Sequence, residues 1–147
     1  MSRIYVASSW RNGQQQDVVA ALRLAGHEVY DFHNPAPDNH GFHWSDIDPG
    51  WQGWEPEAFR AALDHPVARS GFDFDWRAMQ WADTGLLVLP CGRSAHLELG
   101  YFVGARKRAI VLLAPGEPEL MYRMCGTANI CLSIPEVVMV LKDEVAR

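Results

Sequence analysis

Thr84-Gly85-Leu86-Leu87-Val88-Leu89-Pro90 is an unbroken apolar run closed by a proline, and its reading decides the fold. Alternating apolar and polar residues would mark a strand with one wet face. A continuous run of this length marks a strand buried on both faces, as in parallel sheets covered by helices. Ala109-Ile110-Val111-Leu112-Leu113, ended by Ala114-Pro115-Gly116, reads the same way. Between the two, Gly92-Arg93-Ser94 makes a turn, and Ser94 is the expected N-cap of a helix through Leu97, Tyr101, Phe102 and Ala105. Upstream, Ile4-Tyr5-Val6-Ala7-Ser8 predicts a central strand. Val18, Val19, Ala21, Leu22 and Ala25 then recur at helical spacing before a C-capping Gly26, and His27 to Phe32 predicts a second strand. Helical pattern returns over Glu55 to Leu63 and Phe72 to Ala82. Asn129-Ile130-Cys131-Leu132 is a short last strand, and Pro135 opens an amphipathic helix through Val138, Leu141 and Val145. Strands alternating with helices predict an α/β fold of the flavodoxin or Rossmann-like kind. The expectation is a three-layer sandwich forming one domain over residues 1–147, with a five-stranded parallel sheet ordered 2-1-3-4-5 and right-handed crossovers.

The chain has 147 residues, 48% hydrophobic and 21% charged, so it can bury a sizeable core and is neither a disulfide-stapled miniprotein nor a disordered tail. Thirteen basic against 18 acidic side chains give a net charge of −5, the wrong sign for broad contact with a nucleic-acid polymer. No apolar stretch is long enough to span a bilayer. The N-terminus runs straight into strand-like sequence, so a cytoplasmic location is expected. Cys91, Cys125 and Cys131 are an odd number without CxxC spacing, which predicts free, buried or half-buried thiols rather than zinc or a disulfide framework. His96-Leu97-Glu98 imitates the H-x-E of zinc deaminases, but no P-C-x-x-C follows it. Neither metal nor organic cofactor is expected. His27, His33, His40, His43 and His65 show no HExxH spacing and read as solvated loop residues.

From His33 to about Trp54 the chain is dense in Pro, Gly, Asp, Asn, His and Trp without periodicity, which predicts an ordered flap over a pocket. The six tryptophans are the compositional anomaly. Trp10 and at least one of Trp44, Trp51 and Trp54 are expected to line that pocket as flat surfaces, with Trp76 and Trp81 in the core.

Ligands of such folds sit beyond the carboxyl ends of the strands, near the point where strand order reverses. Glu98 lies there, in what reads as the first turn of a helix. The helix dipole would keep it ionised, and the following Gly100 would allow close approach. Asp75 and Asp83, about two turns apart, offer the second carboxylate that glycosidic chemistry requires. Ser9-Trp10-Arg11-Asn12-Gly13 precedes a helix and suits an anion, with Gly92, Arg93 and Ser94 on its other side. Neither GxGxxG nor GxxxxGK[ST] is present, which excludes the usual dinucleotide and triphosphate cradles.

Taken together, Ile4-Tyr5-Val6-Ala7, Ser9-Trp10-Arg11, Asp75 eight residues before Asp83, and Leu97-Glu98-Leu99-Gly100-Tyr101 resemble the nucleoside 2-deoxyribosyltransferase family, which includes the 2′-deoxynucleoside 5′-monophosphate N-glycosidases. The resemblance implies that Glu98 attacks the anomeric carbon to form a glycosyl-enzyme, that Asp75 is the general acid/base near the nucleobase, and that Tyr5 orients Glu98. Water or a second base would resolve the intermediate. It implies further that Ser9 and Arg11, with Gly92 and Ser94, bind a 5′-phosphate, and that Asp83 belongs to the substrate site. The transferase branch is echoed by Trp10 and by Glu119-Leu120-Met121, where that branch carries Asn-Leu-Met reaching into a neighbouring subunit; Glu119 departs from it. The chain also ends at Arg147 without that branch's aromatic, carboxylate-bearing tail. The expected partners are a nucleoside or nucleotide, with Met121 a substrate-binding residue reaching into a neighbouring subunit, and further copies in a homodimer or larger homo-oligomer. A nucleotide-binding module without turnover and a TIR-like NAD glycohydrolase are the alternative readings.

Overall fold

Strand β3 (Thr84–Val88) is buried at every position, as its apolar run requires. It pairs in parallel with β1 (Arg3–Ala7) on one side and β4 (Arg108–Leu112) on the other. The short strands β2 (Glu28–Tyr30) and β5 (Ile130–Cys131) form the edges, completing the expected all-parallel order 2-1-3-4-5. The computed structural model describes residues 1–143, so Val145, expected on the terminal helix, lies outside the described residues.

Contacts group the chain into two compact units. The first comprises Met1–Asp31 with Met79–Arg147 and the second Phe32–Ala78. In the first, helices α1 (Gln15–Leu24) and α5 (Ile134–Lys142) close over one sheet face. Val18, Val19, Leu22, Val137 and Leu141 pack there against Ile4, Val6, Leu86, Val88, Ile110 and Leu112. Helix α4 (Arg93–Gly104) covers the opposite face with Ala95, Leu99 and Phe102, giving three layers. Its approach depends on Gly85: a Cβ there would lie 2.4 Å from the Phe102 ring, far inside van der Waals contact.

The second unit holds α2 (Pro56–Ala62) and most of α3 (Pro66–Trp81), with single 3₁₀ turns at Trp44–Asp46 and Trp51–Gly53. Helix α3 starts six residues before the expected Phe72 and runs through Gly71, whose missing side chain leaves space for Phe42: a Cβ would lie 2.8 Å from the Phe42 Cβ. Around Trp44 gather Phe42, Trp54 and Phe59, with ring centroids 4.7, 5.8 and 5.6 Å away. Asp48 pins the turn beneath them, accepting from Gly50 N at 2.8 Å and Trp54 Nε1 at 2.7 Å. Trp44 and Trp54 therefore build this unit's own aromatic cluster. Trp81, expected in the core, is 38% exposed under the Arg3 guanidinium, because it falls on the outward side of the last turn of α3. Lys107 Nζ closes that turn by donating to the carbonyls of Met79, Gln80 and Ala82 at 2.7–2.9 Å.

Candidate functional site

Tyr5 sits inside β1 with 1% of its surface exposed, and its hydroxyl donates to Glu98 Oε2. The ring is fixed on both sides, stacked on Tyr30 at 5.3 Å and tilted against Phe102 at 5.8 Å. Tyr5 pairs with Gly85 across the strands, and Phe102 lies one helical turn beyond Glu98. The space above Gly85 thus lets Phe102 seat α4, which carries the half-buried Glu98 to the Tyr5 hydroxyl. A phenol donating to a carboxylate makes a charge-assisted bond that restrains the side chain.

Helix α4 begins at Arg93 with Gly92 as its N-cap, so Ser94 is a residue inside the helix rather than the cap. Glu98 consequently lies in the second turn, where the dipole has largely faded, and the Tyr5 hydroxyl replaces the dipole as its orienting partner. Gly100 is not where α4 approaches the sheet closely, since a Cβ there would meet no protein atom within 4 Å. Burial and the Glu98 carboxylate push the Cys91 thiol up to about 11, so it stays protonated near neutral pH and does not compete as a nucleophile.

After β1 the chain turns through Ser9, Trp10 and Arg11. Arg11 N donates to Ser9 Oγ at 3.2 Å; Trp10 is 42% exposed, and the Arg11 side chain is also on the surface. Asn12 ties this turn to the end of β3. Its Nδ2 donates to Val88 O at 3.2 Å and Pro90 O at 3.1 Å, while Oδ1 accepts from Gln14 N at 2.8 Å. The Ser9–Arg11 turn is therefore tied to the Val88–Pro90 segment that leads into α4, at the carboxyl ends of adjacent strands.

Among solved structures ten chains match. A 2-deoxyribosyltransferase from the psychrotolerant bacterium Bacillus psychrosaccharolyticus is similar at a TM-score of 0.50, covering 81% of this chain and 77% of that one at 21% identity. The likeness is one of fold. No family model matches the chain, and no curated protein does.

Asp83 must be moved out of the site. It stands at the amino end of β3, the opposite end of the sheet from Gly92. Its carboxylate accepts from Arg3 N at 3.1 Å and from the Thr84 hydroxyl at 2.8 Å, and its backbone continues the ladder to Arg3 and Arg108. Asp75 is half-buried on α3 in the second unit. Met121 is 54% exposed beside Leu120 and Met124, in a 3₁₀ segment (Leu120–Cys125) capped by Glu119, whose carboxylate accepts from Met121 N.

His96 acts as a strut. Gly92 O can only accept, so Nδ1, 2.8 Å away, carries the proton, and Nε2 accepts from the Tyr122 hydroxyl at 2.7 Å. This pair links the start of α4 to the 120–125 segment. His27 and His65 are likewise engaged rather than solvated, accepting from Ser2 N and Val67 N at 3.0 and 3.1 Å. All three thiols are free and at least half-buried, as expected. No helix among the described residues is long and apolar enough to cross a membrane. A shallow hollow of about 740 Å³ lies along α3 between Pro66 and Arg77, and none of the predicted site residues lines it.

Proposed function

We propose that the chain cleaves the N-glycosidic bond of deoxynucleosides or their 5′-monophosphates, with hydrolysis of the monophosphate as the preferred outcome. The observation that carries this reading is the carboxylate of Glu98, held by the hydroxyl of Tyr5, which lies where β1 pairs with β3. A carboxylate restrained in this way is poised as a nucleophile toward an anomeric carbon. In the first step a Glu98 oxygen bonds to C1′ as the C1′–N bond breaks. The electron pair leaves with the base, which takes up a proton from a general acid, the role the resemblance implies for Asp75. In the second step water, deprotonated by the conjugate base of that acid, attacks C1′ and returns Glu98 as carboxylate. A second base in place of water would give transfer. Each step balances among these groups, substrate and water. Arg11 and Ser9, in the turn that Asn12 ties to the end of β3, supply the charge and donors suited to a 5′-phosphate. The fold likeness to a deoxyribosyltransferase agrees with this reading.

The test is a nucleobase-release assay across deoxynucleosides and their monophosphates, run with and without a second free base. Glu98→Ala should lower release by at least about a thousand-fold, because no other group supplies the covalent path. Retention of more than a few per cent would refute the role of Glu98. Appearance of an exchanged nucleoside would replace hydrolysis with transfer.

A further inference from the structure

At the point where strand order reverses, the chain leaving β1 enters α1 on one face of the sheet, while the chain leaving β3 enters α4 on the other. The ladder between these strands ends at Ala7 and Leu87, so the next carbonyls of β3 need other partners. Val88 O receives two donors, Ser8 Oγ at 2.9 Å and Asn12 Nδ2 at 3.2 Å, and Asn12 Nδ2 also reaches Pro90 O at 3.1 Å. Asn12 is only 8% exposed, and its own N–H donates to Ser9 O at 3.0 Å. Its amide thus uses both Nδ2 hydrogens on one loop and its oxygen on the other. Asparagine alone fits these demands: aspartate would set an anionic oxygen against two carbonyl oxygens, serine lacks the reach, and glutamine adds a methylene to a filled space.

We infer that Asn12 is a positioning residue that sets the gap between the Ser9–Arg11 turn and the start of α4, and so determines how tightly the protein holds a sugar phosphate. This rests on the proposed 5′-phosphate site. Asn12 touches no substrate atom; it acts by fixing Ser9 and Arg11 opposite Gly92 and Ser94.

The experiment titrates the full chain with 2-deoxyribose 5-phosphate by NMR, a probe that leaves the base out, and measures base release in parallel. Asn12→Asp and Asn12→Gly should each weaken the probe at least tenfold. For whichever monophosphate is turned over, KM should rise by a similar factor while kcat falls less than threefold. Asn12→Gly preserves the turn while removing the clamp, so it serves if the aspartate variant does not fold. Probe affinity within twofold of wild type in a folded variant would overturn the inference, as would equal losses in KM and kcat. Wild type that does not bind the probe would also overturn it. Wild type that binds the probe yet releases no base would sink the enzymatic reading alone, and the inference would then be decided by probe affinity in the variants.

Discussion

Within each of the two units a different kind of contact does the holding. Around β3 every residue is secured twice, by a ladder of backbone hydrogen bonds and by side chains buried on both faces. In the Phe32–Ala78 unit the segment before α2 has two 3₁₀ turns and an isolated bridge, and rings and polar side chains such as Asp48 and Asn39 do much of the holding. The first arrangement spreads the effect of any one contact over a cooperative sheet, whereas the second concentrates it on a few residues. Damage should therefore be global in one unit and local in the other.

Gly85→Ala is the strongest probe of this difference outside the nucleophile. Its Cβ collides with a fully buried Phe102 ring, so a loss of about 3 kcal/mol in global stability is expected by denaturant unfolding. Amide exchange should quicken across β1, β3 and β4 together. Base release should fall as well, because Phe102 seats the helix that carries Glu98. Trp44→Ala comes next, at about 2 kcal/mol for a half-buried ring with three aromatic neighbours. Here limited proteolysis should open residues 32–78 while the β1–β3–β4 amides stay protected. If both variants lost protection across the whole chain, the contrast between the units would be broken.

The smallest effect is expected at Asp48. Its hydrogen bonds from Gly50 N and Trp54 Nε1 hold the carboxyl below its usual 3.8. A depressed carboxylate stabilises the fold above its unfolded value, and the contribution disappears as pH falls through the lower folded value. Acid below about 3.8 should thus change the tryptophan fluorescence of wild type, and Asp48→Asn should lack that step. An identical acid profile in both proteins would remove Asp48 as the pin of this turn.

The same difference in contacts explains what could be read from the residues alone. Apolar runs such as Leu86–Leu89 and Ile110–Leu113 announce burial on two faces, and the strand order follows from their alternation with helices. Nothing comparable marks the second unit. Gly71 interrupts the helical pattern of α3 because a neighbour needs its space, and the contacts of Trp44 have no period to detect. At the site, Glu98 and Tyr5 stand out through resemblance, whereas Asn12 acts on carbonyls 76 and 78 positions away, beyond any local pattern. Asp83 misleads because a carboxylate at a strand boundary looks the same whether it begins the strand or faces the cleft. Glu98 lies beyond the reach of the dipole because α4 is capped at Gly92 rather than Ser94, which sets Glu98 two residues deeper, in the second turn.

The space that Gly85 leaves to Phe102 has an evolutionary meaning as well. Positions 85 and 102 share one volume, so they form a single heritable unit: a lineage that gains a methyl group at 85 must give up ring atoms at 102. Because Phe102 also braces Tyr5, that exchange would reach the restrained carboxylate without touching it. Drift in this core would therefore show itself first as altered chemistry, in chains that still fold.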